Sequence, residues 1–222
     1  MCVSATTSFV AAGGIAVVGL ATLRHVDHPR SVLFAAMPLL FALQQFTEGF
    51  VWLGLEGKVG DRVLQHSSFL FMLYAQGILP FLMPLAVLLI EPRGLRYYGI
   101  LICTLLGAGL SAYVIYAVVG YPNTCFVEDH SIVYHNELTD ELWVAAAYVI
   151  ATCGALLLST HRVVVWFGLF NILGLSIVLA AKAYAFTSVW CLYAAVLSVM
   201  LYWQFARAHI DVERPNSSLL AT

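Results

Sequence analysis

Long apolar runs broken by short polar links define this chain, and neither strand-like alternation nor a clean helical stripe divides them. Runs at about 8–23, 31–55, 67–90, 97–119, 141–158, 163–184 and 188–206 are each near the ~20 residues that cross a bilayer as a helix. The breakers are Pro29 in the first link, the polar segment Glu56–Arg62, the turn Glu91-Pro-Arg-Gly-Leu-Arg96 and the pair His161-Arg162. Pro80 and Pro84 sit inside the third run and predict kinks there. The one long connection, 120–140, is polar and acidic. The pattern predicts an all-α integral membrane protein: one domain over 1–222, folded as a seven-helix transmembrane bundle without internal repeats.

Composition agrees. Of 222 residues, 62% are hydrophobic and 10% charged, against about 25% charged in a soluble domain. Mean hydropathy is +0.90. A net charge of −2 without a basic stripe gives no reason to expect nucleic acid. The first run lacks a basic segment ahead of it, since Arg24 and Arg30 follow it, so it reads as a retained helix rather than a leader. Seven spans place the links after spans 1, 3 and 5 and the C-terminal tail on one side. That side holds Arg24, Arg30, Arg93, Arg96, Arg162, Arg207 and Arg214; the other holds Lys58, Arg62 and Lys182. The imbalance predicts the N-terminus outside, the C-terminus cytoplasmic and a location in the cytoplasmic membrane.

Polar residues inside the runs carry the chemistry. Gln44, Gln45 and Glu48 share roughly one helical face. A carboxylate facing lipid costs about 2.5–3.5 kcal/mol or more, so that face should look into protein or water. In the expected topology Gln76, Tyr116, Lys182 and Trp190 lie towards the same outer side, and the cytoplasmic half offers nothing comparable. Together with Gln44, Gln45 and Glu48 they form the candidate ligand-binding set, lining an outward-facing polar pocket. His66, His130 and His135 are candidate metal ligands, for zinc above all, with Glu48 and Cys2 as further donors. No HExxH or CxxC spacing accompanies them. A catalytic alternative uses Glu48 as acid or base with His66 or Cys2 assisting; Cys2 behind a free α-amine would be a nucleophile. Of five cysteines, Cys103 and Cys153 fall within spans, whereas Cys125 and Cys191 are the candidate disulfide pair on the outer side.

Three stretches, Met1-Cys-Val-Ser-Ala-Thr-Thr-Ser8, Phe41-Ala-Leu-Gln-Gln-Phe-Thr-Glu-Gly-Phe-Val-Trp52 and Thr187-Ser-Val-Trp-Cys-Leu-Tyr-Ala-Ala195, together resemble an uncharacterised prokaryotic multi-pass membrane family of this length. Its members typically begin Met-Cys-Phe-Ser-Ala, where this chain has Val3, and carry a His where Gln44 stands here. The resemblance implies a coherent membrane fold over nearly the whole chain and brings no activity. Microbial rhodopsins and the alkaline ceramidase and adiponectin-receptor group fit poorly: Lys182 ends the sixth run, and the seventh contains no His.

Three functions follow as expectations. One is a sensor, binding protein or transporter taking a small or lipid-like ligand. Another is a membrane-embedded hydrolase or metalloenzyme. The last is a structural subunit held against a membrane-complex partner. Beyond these, the lipid bilayer is the one expected surrounding.

Overall fold

The computed structural model describes residues 4–128, 131–180, 198–203 and 206. The chain is mostly helical. Four helices are long and apolar enough to cross a membrane: Ala5–Leu23, Pro29–Leu55, Asp61–Ile90 and Leu95–Gly120. Two further apolar helices follow, α7 (Leu142–Leu158) and α8 (Arg162–Ala180), and residues 198–203 are helical too.

α1 (Ala5–Leu23) starts at Ser4, whose side chain accepts the Thr7 N–H, a turn earlier than the apolar run suggests. Its buried face is Ala5, Ser8, Ala12, Ile15, Gly19 and Thr22, spaced three and four apart and small at every position but Ile15. They let it lie closely on α3 (Met37–Leu55). A Cβ on Gly19 would overlap Leu39, and one on Gly49 would overlap the Phe9 ring, so the two helices run antiparallel. The expected single second helix is segmented: a 3₁₀ turn Pro29–Ser31, a short α2 (Val32–Ala35), then α3, which begins just before Pro38. Pro38 has no N–H to continue a ladder but suits a first turn. α3 ends at Gly57, φ 70°, with Lys58 N–H on Leu53 C=O, a left-handed stop that glycine makes without strain.

The third helix is longer than its apolar core. It begins with α4 (Asp61–Met72), where Asp61 lies in the first turn and complements the helix dipole, so Arg62 and His66 are helical rather than part of the link. Gly54 against Leu64 fixes α4 antiparallel to α3. A π-helical turn, Leu73–Ile78, then leads into α5 (Leu79–Ile90). The expected proline kinks take this form for a specific reason. Leu79 N–H bonds Tyr74 C=O, five residues back. That leaves Ala75 C=O without a ladder donor, because its own five-residue partner is Pro80. The Tyr148 hydroxyl donates to it from α7 at 3.0 Å. Pro84 likewise removes the α-helical donor for Pro80 C=O. That carbonyl rests against α6 (Leu95–Gly120) at Gly107, where any Cβ would collide with it.

The 120–140 connection is not a plain loop. β1 (Thr124–Glu128) pairs antiparallel with β2 (Ser131–His135), Cys125 opposite Tyr134 and Val127 opposite Ile132. Its base is pinned to the end of α6. Asn136, fully buried, donates to Ala117 C=O and to Asn123 Oδ1, while Asn123 donates to Val118 C=O at 2.7 Å. Tyr113 donates to Leu138 C=O. The main core gathers Ile15, Phe34, Met37, Phe41, Leu79, Met83, Ile90, Leu156, Phe167 and Leu201 from successive helices.

Gly107→Val should lower the thermal midpoint of the detergent-purified protein, at a cost of ~1–3 kcal/mol for overpacking. Gly109→Val on the same helix, where a Cβ meets nothing within 4 Å, should leave it unchanged. Equal effects would mean that α6 does not ride on the Pro80 carbonyl.

Candidate functional site

Successive turns of α3 set one face inward: Phe41, Gln44, Gln45, Glu48, Val51 and Trp52 are all buried, Glu48 with 0% of its surface exposed. The Gln45 side chain hydrogen-bonds the Glu48 carboxyl. At ~1.5 Å rise per residue, the Gly54–Leu64 contact sets Glu48 level with Leu70 and Gln44 level with Tyr74. On the opposite flank the Phe9–Gly49 contact sets Ser8 of α1 beside this layer.

The hairpin closes the layer from the end of the bundle. Alternation sends Cys125, Val127, Ile132 and Tyr134 to one face of the ribbon. Ile132 packs with Ala5, Val51 and Trp52, flanked by Cys125 and Tyr134. The Tyr134 ring stacks on Phe71, centroids 4.4 Å apart and planes 11° from parallel. Its phenol lies within electrostatic reach of Glu48, and the Cys125 thiol is within hydrogen-bonding reach of Ser68. Four groups here are buried and have no hydrogen-bond partner among the described residues: Ser8 Oγ, Gln44 Oε1, Trp52 Nε1 and Tyr134 Oη. Each such group costs about 1–3 kcal/mol when left unpaired in the interior.

The predicted site residues divide. Gln44, Gln45 and Glu48 come together as expected, and Tyr134, Trp52 and Ser8, not in the candidate set, join them. Gln76 lies on the π turn, which packs chiefly against α6. Tyr116 is 61% exposed and edges onto Tyr121 on the outside of α6, so it does not line this layer. His66 is not at a shared mouth with Glu48. It is exposed, its Nδ1 held to Arg62 C=O at 2.6 Å, whereas Glu48 is fully enclosed. His135 is exposed and pairs with Asp140. Among the described residues, no three His, Cys, Asp or Glu side chains assemble into a metal-holding group. Among the described residues Cys125 has no disulfide partner. Cys2, His130, Lys182, Trp190 and Cys191 lie outside the described residues.

The other end of the bundle holds a polar cluster absent from the sequence-predicted site. Glu91, buried at the close of α5, accepts from Ser159 Oγ at 2.8 Å and from Thr160 N–H at 2.9 Å. Arg96 donates to Ser159 C=O, and a His161 ring nitrogen meets Ile90 C=O. Every oxygen of that carboxylate has a donor, so the arrangement ties the α5–α6 and α7–α8 turns together and leaves nothing for a ligand. The signal was present as an acidic residue in an otherwise basic turn.

The family of unknown function DUF6629 matches residues 1–216, and the chain belongs to that family. No curated protein and no solved structure matches the chain.

Burial pushes the Cys125 thiol above its ordinary 9.0 and the Tyr134 phenol well above its ordinary 10.0. Both are favoured neutral. Their contribution to docking the hairpin is therefore complete below the unfolded-chain values and is lost as pH rises through the raised folded ones. Iodoacetamide should alkylate Cys125 more slowly in the folded than in the denatured protein at about pH 8.5. The gap should close at higher pH as the hairpin loosens. Equal rates at the lower pH would show that the thiol is not held against α4.

Proposed function

We propose that this protein binds a small polar or amphipathic molecule inside the membrane, at the inward face of α3, with the 124–135 hairpin as its cover. One observation carries the reading: Gln44 Oε1, Trp52 Nε1, Tyr134 Oη and Ser8 Oγ are buried together around Glu48 without hydrogen-bond partners among the described residues. A bundle selected only for stability would fill these positions with apolar groups, since replacing unpaired polar groups by apolar ones of like shape is neutral or stabilising. Acceptors and donors are both offered, which suits a ligand with mixed hydrogen-bonding capacity. The wall around them, Phe41, Val51, Phe71 and Ile132, is apolar. The set is enclosed rather than open, so binding requires the hairpin or a neighbouring helix to move.

In this reading the protein is a seven-span protein of the cytoplasmic membrane with its N-terminus outside, and the hairpin covers the outer end. The charge imbalance between the links supports that orientation. The hydrolase reading is weaker. Glu48 is sealed and His66 faces outward, so the described residues offer the carboxyl no adjacent histidine.

Native mass spectrometry of protein extracted without delipidating detergent tests the proposal. The wild type should carry a non-covalent adduct, and Gln44→Leu and Glu48→Gln should lose it while keeping the wild-type helical circular dichroism. An adduct unchanged in both variants would remove the α3 face as the site. A wild type without adduct that copurifies with a stoichiometric protein would favour the subunit role instead.

A further inference from the structure

A second set of buried polar groups lies apart from the Glu48 layer, where the third helix changes its hydrogen-bonding pattern. Gln76 Oε1 on the π turn, Tyr74 Oη at its start and Ser111 Oγ on α6 are all buried and unpaired among the described residues. Two contacts fix their heights. Gly77 lies against Val114 and Ile115, and the Pro80 carbonyl lies against Gly107. Ser111 falls between those contacts, so its hydroxyl is level with the stretch 77–80. On the other side Tyr148 closes in from α7, with its hydroxyl on Ala75 C=O and its phenol within electrostatic reach of Tyr74. Backbone chemistry adds to the side chains: Pro80 and Pro84 withdraw the α-helical donors of the Gln76 and Pro80 carbonyls.

We propose that the π turn is an internal water site, in which bound water satisfies Gln76 Oε1, Ser111 Oγ and Tyr74 Oη. Water is the guest that fits this chemistry. The groups sit on two touching helices beside a helix break, present both donors and acceptors, and include no charged side chain. Buried waters typically make about three hydrogen bonds to groups that would otherwise be unsatisfied. In membrane helices, ordered water is one of the means by which proline breaks are accommodated. The α3–α4 register sets Tyr74 level with Gln44, so this water would extend the polar layer at Glu48 towards the middle of the bundle. It does not depend on a ligand being bound there.

Radiolytic footprinting tests this, since brief X-ray exposure generates hydroxyl radicals from bound water inside a protein. Met72 and Met37 are both fully buried methionines; Met72 borders the π turn and packs with Leu110 and Val114, whereas Met37 sits in the apolar core. Met72 and Tyr74 should be oxidised several-fold faster than Met37 in the full-length protein in nanodiscs. In the double variant Gln76→Leu, Ser111→Ala that excess should disappear. Met72 and Tyr74 as silent as Met37 would overturn the proposal, as would labelling that persists unchanged in the double variant. Glu48→Gln should leave the pattern intact, which separates this site from the one proposed on α3.

Discussion

The structure depends on a helix whose backbone cannot satisfy itself. Within a bilayer every carbonyl needs a donor from the protein or from bound water, and Pro80 and Pro84 remove two donors from the middle of the Asp61–Ile90 helix. The consequences spread outward. The π turn accommodates the first loss and passes the orphaned Ala75 carbonyl to Tyr148. Gly107 accommodates the second by letting α6 lie directly on the Pro80 carbonyl. On either side of the turn the packing partners change: α4 packs on α3, whereas α5 packs on α6 and α7.

The two ends of the bundle use buried carboxyls in opposite ways. Glu91 is surrounded by donors from Ser159 and Thr160 and acts as a fastener between turns. Glu48 is bonded by Gln45 but sits among neighbours whose own polar atoms have no partner among the described residues. Stability explains the first arrangement completely. It does not explain Gln44, Trp52, Tyr134 and Ser8, and that difference between the two ends is the physical basis for proposing a binding site at α3.

The long apolar helices of a membrane protein, α1, α3 and α6 among them, and the inward face of Gln44, Gln45 and Glu48 were legible in the sequence, because hydropathy and the i,i+4 spacing are local signals. The start of α4 was not: Asp61 and Arg62 look like link residues until the dipole of a helix beginning there is considered. The hairpin is masked in the sequence: Thr124-Cys-Phe-Val-Glu128 and Ser131-Ile-Val-Tyr-His135 are runs of strand formers, but acidic residues around them give the whole segment the composition of a loop. Tyr134 could not have been placed at Glu48 by spacing alone. Its position rests on the Asn123–Asn136 clasp that aims the ribbon and on the stack with Phe71, contacts between distant parts of the chain. The outward positions of Tyr116 and His66 were not legible for the complementary reason: depth along a helix says nothing about rotation around it when the helix is apolar on all sides.

The bond from Tyr148 to the Ala75 carbonyl joins residues 73 positions apart. A ribosome adds residues at about 5–20 per second, so this helix is made seconds before the tyrosine that completes it. During that interval the broken turn has no Tyr148 beside it, and at first no α6 either, and is a poor candidate for release into lipid. Its natural waiting place is the hydrated interior of the insertion machinery. The third helix of this chain is thus expected to leave that interior late, together with the helices that finish it, rather than singly and in order.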